Sequence, residues 1–131
     1  MKIAHNRKAA LAAGGLLAFT LNAYADVVTD WNTKAGELVI EAKLGTPPAN
    51  RVMAIVQTAV HEAVNTASLR QAGDVTLDAA VAAANRNTLL KLIPAQEPSI
   101  TSAYQAALAK LADGPAKAAG IAAGEQSAAA V

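Results

Sequence analysis

The amino-acid sequence predicts an all-α protein, in which about five alanine-rich helices form a partial bundle after a cleaved signal peptide. Apolar residues recur at intervals of three and four, as they do on one face of a helix with about 3.6 residues per turn. Glycine and proline separate the segments that show this spacing. No segment alternates apolar and polar residues as a half-buried strand would, so no sheet is predicted.

The first 25 residues are predicted to be a secretory signal peptide. Three basic residues precede an apolar stretch at 9–21, and Ala23-Tyr24-Ala25 places alanine at the two positions that a signal peptidase reads. The apolar stretch is shorter than the ~20 residues that span a bilayer. We therefore expect cleavage before Asp26, a periplasmic or secreted protein of residues 26–131, and no membrane attachment after cleavage.

Glycine and proline divide residues 26–131 into five predicted helices. Asp30 is a candidate N-cap of the first, because its side chain can accept a hydrogen bond from a free backbone N–H. Gly45 is predicted to end that helix, since the prolines that follow lack the N–H and clash with the preceding turn. The helices are predicted at residues 30–44, 48–68, 77–92, 98–112 and 115–131.

Rows of apolar side chains predict which faces of these helices are buried. The second helix has the clearest row, formed by Val52, Ile55, Val56, Ala59, Val60, Ala63 and Val64. The third is predicted to carry Ala80, Val81, Ala84, Thr88 and Leu92 along one side. The fourth is predicted to point inward with Ile100, Ala103, Tyr104, Ala107, Leu108 and Leu111.

Small residues define one face of the fifth predicted helix. Gly120 and Gly124 lie four residues apart, and Ala116 and Ala128 continue the row. Such a face lets two helices approach closely, and because charged residues interrupt the segment we expect packing within the protein rather than dimerisation in a membrane. The helix reaches the last residue without a C-cap signal, which favours a chain that is part of a longer protein.

The composition excludes several functions. Three of the 11 basic residues lie in the leader, which leaves eight against ten acidic residues and a net charge of −2 for residues 26–131. This balance predicts no nucleic-acid partner. The absence of cysteine excludes disulfides and thiolate chemistry. Trp31 and Tyr104 are the only aromatic residues after the leader, so the core is predicted to be thin.

One segment comes close to a metal motif. His61-Glu62-Ala63-Val64-Asn65 differs from the H-E-x-x-H zinc signature by its last residue, and residues 26–131 contain no other histidine. We expect His61 to be a polar group at a helix–helix contact. Glu37 and Glu41, at i and i+4, are expected on a solvated face. The sequence predicts no catalytic residue, no cofactor-binding residue and no metal ligand.

A stretch near the start of the mature segment resembles a known family. It begins with Trp31-Asn32 and continues through 45–51 and 53–65, with further similarity at 78–84, 92–94, 113–115 and 120–124. It is similar to the N-terminal helical region of bacterial vanadium-dependent haloperoxidase-like proteins of the type 2 phosphatidic acid phosphatase superfamily. Glu62 stands where the family has an aspartate.

The resemblance implies an all-α bundle that holds vanadate or a phosphoryl group. The family's catalytic signature comprises a Lys and Arg-Pro segment, a Pro-Ser-Gly-His segment, and a Ser-Arg segment with a following His; none of these occurs here. The chain is therefore expected to be the inactive N-terminal part of such an enzyme, with vanadate possible only in the full-length protein. Its expected partner is a downstream catalytic half, and a homo-oligomer is possible.

A different class of protein is also compatible with the sequence, namely a small self-contained exported helical scaffold or binding protein. The three arginines after the leader bear on this choice. Arg51 and Arg70 lie at opposite ends of the second predicted helix, about 28 Å apart at 1.5 Å per residue. Arg86 is expected among exposed positions of the third. These residues are not expected to converge on one anion.

Overall fold

The computed structural model describes residues 23–70 and 72–131, and the predicted leader up to position 22 lies outside these residues. The described part is all-α, as the sequence predicts, and contains no strand. Its helices are α1 (Ala23–Glu41), α2 (Thr46–Leu69), α3 (Asp74–Leu92), α4 (Glu97–Ala109) and α5 (Pro115–Ala129), with a short 3₁₀ turn at Pro94–Gln96. None of the described helices combines the length and the apolar character that a membrane crossing requires.

Helix α3 lies at the centre of the fold. It contacts each of the other four helices and packs most extensively against α5 and then α2. All seven residues from Ala79 to Asn85 are buried. The row predicted along one side of α3 is therefore buried, as expected, and burial extends further around the helix at 79–85 because other helices pack on several of its sides. Of the predicted row, only Leu92 is half-buried rather than buried.

Helix α1 begins earlier and ends earlier than the sequence predicts. Asp30 is an exposed residue inside α1 and does not cap it, because the helix already includes Ala23. The helix ends at Glu41, and Lys43 has the left-handed φ of 54° that terminates many helices. Gly45 does not end α1 but is the extended N-cap of α2.

The apolar row of α2 faces the core, as predicted. Val52, Val56, Ala59, Val60 and Ala63 are buried, while the two remaining members of the row are half-buried at its edges. The same cluster contains Trp31 of α1, which is 5% exposed. The two prolines after Thr46 occupy the first turn of α2, where a missing N–H breaks no helical hydrogen bond.

The small-residue face of α5 packs against α3, as predicted. A Cβ on Gly120 would overlap the carbonyl oxygen of Thr76, and one on Gly124 would overlap that of Ala80. A step of four residues along α5, from Gly120 to Gly124, matches a step of four along α3, from Thr76 to Ala80. The two helices therefore run in the same direction. Ala116 is exposed, against the prediction, because by this register it lies level with residue 72, before α3 begins.

A lysine of α3 binds the C-terminal end of α5. Lys91 Nζ donates a hydrogen bond of 2.6 Å to the carbonyl oxygen of Ala128, a buried residue in the last turn of α5. A cation at this position neutralises the partial negative charge that free carbonyl groups give to a helix C-terminus. The pair therefore gains an electrostatic contact beside its close backbone packing.

Helix α4 is the most loosely held of the described helices. Its only fully buried residue is Ile100, which is 0% exposed. The other predicted inward residues are only half-buried, namely Ala103, Tyr104, Ala107, Leu108 and Leu111. The helix packs on α3 and makes only a sparse contact with α1. A groove therefore remains between α1 and α4.

Candidate functional site

His61 lies on the exposed face of α2, so the prediction that it forms a helix–helix contact is wrong. Val60 and Ala63 belong to the buried row of α2, and His61 lies on the opposite, solvent-facing side of the helix. The i, i+4 spacing does bring Asn65 beside it, with Asn65 Nδ2 2.9 Å from His61 Nε2. Among the described residues, no three His, Cys, Asp or Glu side chains lie close enough to hold a metal ion.

The carboxylates of Glu37 and Glu41 are exposed, as expected for a solvated helix face. Glu37 Oε2 accepts a hydrogen bond of 3.1 Å from Lys34 Nζ, one turn earlier in α1. Such an exposed pair contributes little to the free energy of unfolding. The pair does determine where the charge of Lys34 lies, because the hydrogen bond holds its ammonium group beside Glu37.

Arg86 is half-buried, and the prediction of an exposed position is therefore wrong. The reason is the position of α4, which packs on α3 and brings Tyr104 over Arg86. The guanidinium carbon lies 5.0 Å from the ring centre of Tyr104, a distance typical of a cation–π contact. Arg86 Nη1 also donates to Asn87 Oδ1 at 2.8 Å, whereas the buried Nε has no hydrogen-bond partner among the described residues.

The surroundings of Tyr104 change the pKa of its hydroxyl group. Burial raises the pKa of its hydroxyl above the ordinary value of 10.0, and the positive charge of Arg86 partly opposes that effect. The hydroxyl therefore remains protonated at neutral pH. Arg86 and Tyr104 thus join α3 to α4 through a cation–π contact rather than through an ion pair.

The groove between α1 and α4 is the best candidate for a functional site. Its volume is about 320 Å³, at the lower end of the range for pockets that bind small molecules. Helix α3 contributes Asp78 to the groove, and the remaining lining residues come from α1, from α4 and from the two residues after α4. They are Val27, Asp30, Trp31, Lys34, Ala103, Ala106, Ala107, Lys110 and Leu111.

Most of this lining is apolar, and four side chains carry charge. Asp78 is half-buried, whereas Asp30 and Lys110 are exposed. Burial raises the pKa of Asp78 above its ordinary value of 3.8, and the negative charge of Asp74 raises it further. Perturbed carboxyl groups in a cleft are typical of binding and catalytic sites. The groove was not predicted from the sequence, although Asp78 in the alanine-rich segment 78–84 was a signal for it.

We expect Asp78→Asn to raise the melting temperature at neutral pH. The folded state binds the proton of Asp78 more tightly than the unfolded state does, so the carboxyl group lowers stability as pH rises through its raised pKa. Asparagine removes this cost, and the advantage of the variant should disappear below pH 3.8. Thermal melts followed by circular dichroism at both pH values provide the test.

Asp113→Asn is the matched control, with the opposite expected sign. The hydrogen bond from Lys117 Nζ, 2.8 Å long, holds the pKa of the exposed Asp113 carboxyl below 3.8. Its contribution is present above that ordinary value and is lost as pH falls through the lowered pKa. The variant should thus be slightly less stable than wild type at neutral pH. If both variants shift in the same direction, the electrostatic explanation for Asp78 is wrong.

No family model, curated protein or solved structure matches this chain. Chemically, the groove offers an apolar lining, two carboxylates and two ammonium groups. His61 lies on another helix and does not line it. The arrangement is suited to binding a ligand that combines an apolar body with a charge.

Proposed function

We propose that the chain is the N-terminal, non-catalytic helical part of an exported enzyme similar to vanadium-dependent haloperoxidases or acid phosphatases. The observation that carries the proposal is the structural role of the residues that bear the resemblance. Trp31 is buried in the shared core of α1 and α2. Its neighbour Asn32 accepts a hydrogen bond of 2.6 Å from Gln57 Nε2, which joins the two stretches that resemble the family.

These contacts support a packing role. The segment 45–51 starts α2, because Gly45 is its N-cap and the prolines occupy its first turn. The segment 53–65 supplies most of the apolar row that holds α2 against α1 and α3. Residues that fix two helices to each other in this way can form a rigid base for a catalytic half that follows in the chain.

The positions of the arginines support a catalytic centre outside this segment. Vanadate and phosphate are multiply charged, and their burial requires several converging cationic donors. Arg51 is exposed in the first turns of α2 and Arg70 follows its last residue, so about 28 Å of helix lies between them. Arg86 is engaged by Tyr104 and Asn87. In the proposed enzyme, the downstream half supplies the anion site and binds vanadate.

Bromide oxidation in the presence of vanadate and peroxide tests this proposal. We expect no turnover from residues 26–131, and turnover from a protein that continues through a downstream Pro-Ser-Gly-His segment. Asn32→Ala in the longer protein should reduce stability by about 1 kcal/mol through loss of the Gln57 bond, without abolishing activity. Turnover by residues 26–131 alone, or a stop codon directly after Val131, would refute the proposal.

The groove favours a second candidate function, that of an exported helical binding protein. A cleft with Trp31 and Asp78 in its lining can accept a ligand without any downstream half. The two functions differ in what they require. A binding protein should retain its ligand as residues 26–131, whereas the first proposal requires a catalytic segment encoded after Val131.

A further inference from the structure

We propose that the groove between α1, α3 and α4 binds a small organic cation, an ammonium group attached to an apolar body. The carboxylates of Asp30 and Asp78 would face the ammonium group, and the apolar walls would enclose the body. The inference deepens the second candidate function by naming the class of ligand. It uses no feature of the haloperoxidase resemblance.

The shape of the groove carries the first part of the argument. Its volume of about 320 Å³ exceeds what one or two water molecules need and suits a molecule the size of an arylalkylamine. Trp31 of α1 lies across from Ala103 and Ala107 of α4, and Leu111 adds a further apolar surface. Because α1 and α4 contact each other only sparsely, the space is open to solvent and accessible to a ligand.

Charge carries the second part. The ion pairs among the described residues are Lys34–Glu37 and Lys117–Asp113, so neither Asp30 nor Asp78 has a paired cation. Lys34 lines the groove, but its ammonium group bonds to Glu37. The lining thus holds two carboxylates without an ion-pair partner, and Lys110 is its one cation outside these pairs. A positively charged ligand would give the second of these carboxylates a cationic partner.

Burial carries the third part. Asp78 belongs to the central helix, and a half-buried carboxylate without a partner is costly to keep ionised. A ligand ammonium group would offset that cost through a charge-assisted hydrogen bond. Asp74, the charged residue nearest along α3, is itself a carboxylate and does not line the groove. No cation lies within ion-pair distance of Asp78 among the described residues, and a ligand ammonium group would supply one.

Fluorescence and NMR titration with 2-phenylethylammonium provide the test. Trp31 is the only tryptophan of the chain and lines the groove, so its emission and indole N–H resonance report on binding directly. Neutral 2-phenylethanol and anionic 3-phenylpropionate serve as matched compounds of similar size. We expect the cation to bind at least about tenfold more tightly than either, as a hydrogen bond between charged groups allows.

Variants of the full protein identify the carboxylate. Asp78→Asn should weaken binding of the cation at least about tenfold and leave binding of the alcohol unchanged. Glu62→Gln removes a carboxylate of α2 that does not line the groove, and it should change neither. Circular dichroism at neutral pH checks that both variants are folded. An unchanged affinity of the Asp78 variant for the cation would overturn the inference.

The remaining outcomes separate the inference from the second candidate function. If the alcohol or the anion binds as tightly as the cation, the groove is a ligand site, the binding function stands, and the assignment to a cation is wrong. If none of the compounds alters the Trp31 signals at millimolar concentration, the inference and the ligand-binding function of this groove both fail. Bromide oxidation remains a separate test of the first proposal.

Discussion

Gly124→Ala should destabilise the protein by about 3 kcal/mol, a large share of the total stability of a small domain. The added Cβ would lie 2.7 Å from Ala83 Cβ and 2.8 Å from the backbone nitrogen of Ala84, besides overlapping the carbonyl oxygen of Ala80. Backbone atoms cannot rotate away as the end of a flexible side chain can. Helix α5 would have to move off α3, which is its most extensive contact.

Gly36→Ala is the control for this substitution. Gly36 lies within α1, and a Cβ at this position would have no atom within 4 Å. Alanine there should stabilise the protein by about 0.5–1 kcal/mol, because glycine costs conformational entropy in a helix. Thermal or urea melts should shift the two variants in opposite directions. If Gly124→Ala stabilises as Gly36→Ala does, the close packing of α3 on α5 is wrong.

Gly120→Ala extends this test along the interface. Its Cβ would lie 2.8 Å from Ala79 Cβ and would overlap the carbonyl oxygen of Thr76, one turn before the contact of Gly124. Because the register pairs both glycines with one continuous surface of α3, the two substitutions should act on the same interface. Their combined effect should therefore differ from the sum of the single effects.

The periodic features of this fold were predictable from the sequence, because they depend on local spacing. The row from Val52 to Val64 predicts α2 and its buried face, and the glycines of α5 predict its close approach to another helix. Both features follow from residues within one helix. The existence of five helices follows likewise from the glycine and proline positions between them.

The features that depend on neighbours were not predictable in this way. Asp30 resembles an N-cap in sequence, but an aspartate can equally lie inside a helix, and the start of α1 overrides the local signal. Arg86 looks exposed because its own helix has a polar side, whereas α4 brings Tyr104 over it. Alanine obscured the central position of α3, since alanine occurs on buried and exposed faces alike.

The candidate site was missed for a related reason. Trp31, Asp78 and Leu111 belong to distant parts of the chain, and each has an ordinary interpretation in its own helix. In the sequence, Leu111 is predicted to point inward, whereas Trp31 and Asp78 appear only within segments that resemble a known family. Only the sparse contact between α1 and α4 turns them into the lining of one groove. A motif search examines short segments and cannot detect such a site.

Ile100→Ala should release α4 from the fold and lower the free energy of unfolding by about 3 kcal/mol. Ile100 is the one fully buried side chain of this helix, and its loss leaves a cavity against α3 as well as less buried apolar area. The other apolar residues of α4 are only half-buried, so they cannot replace the contact of Ile100 with the core. We expect Trp31 emission to shift to the red, because α4 forms the opposite wall of its groove.

Hydrogen exchange distinguishes a local release of α4 from general unfolding. Amide protons of residues 97–109 should lose nearly all protection in the Ile100 variant, while those of α3 and α5 should stay protected by the rest of the fold, since the contact between α3 and α5 does not involve α4. Leu108→Ala is the control on the same helix, and its half-buried side chain predicts a smaller loss, about 1 kcal/mol. If the amide protons of α3 and α5 become as unprotected as those of residues 97–109, α4 is not an independent unit.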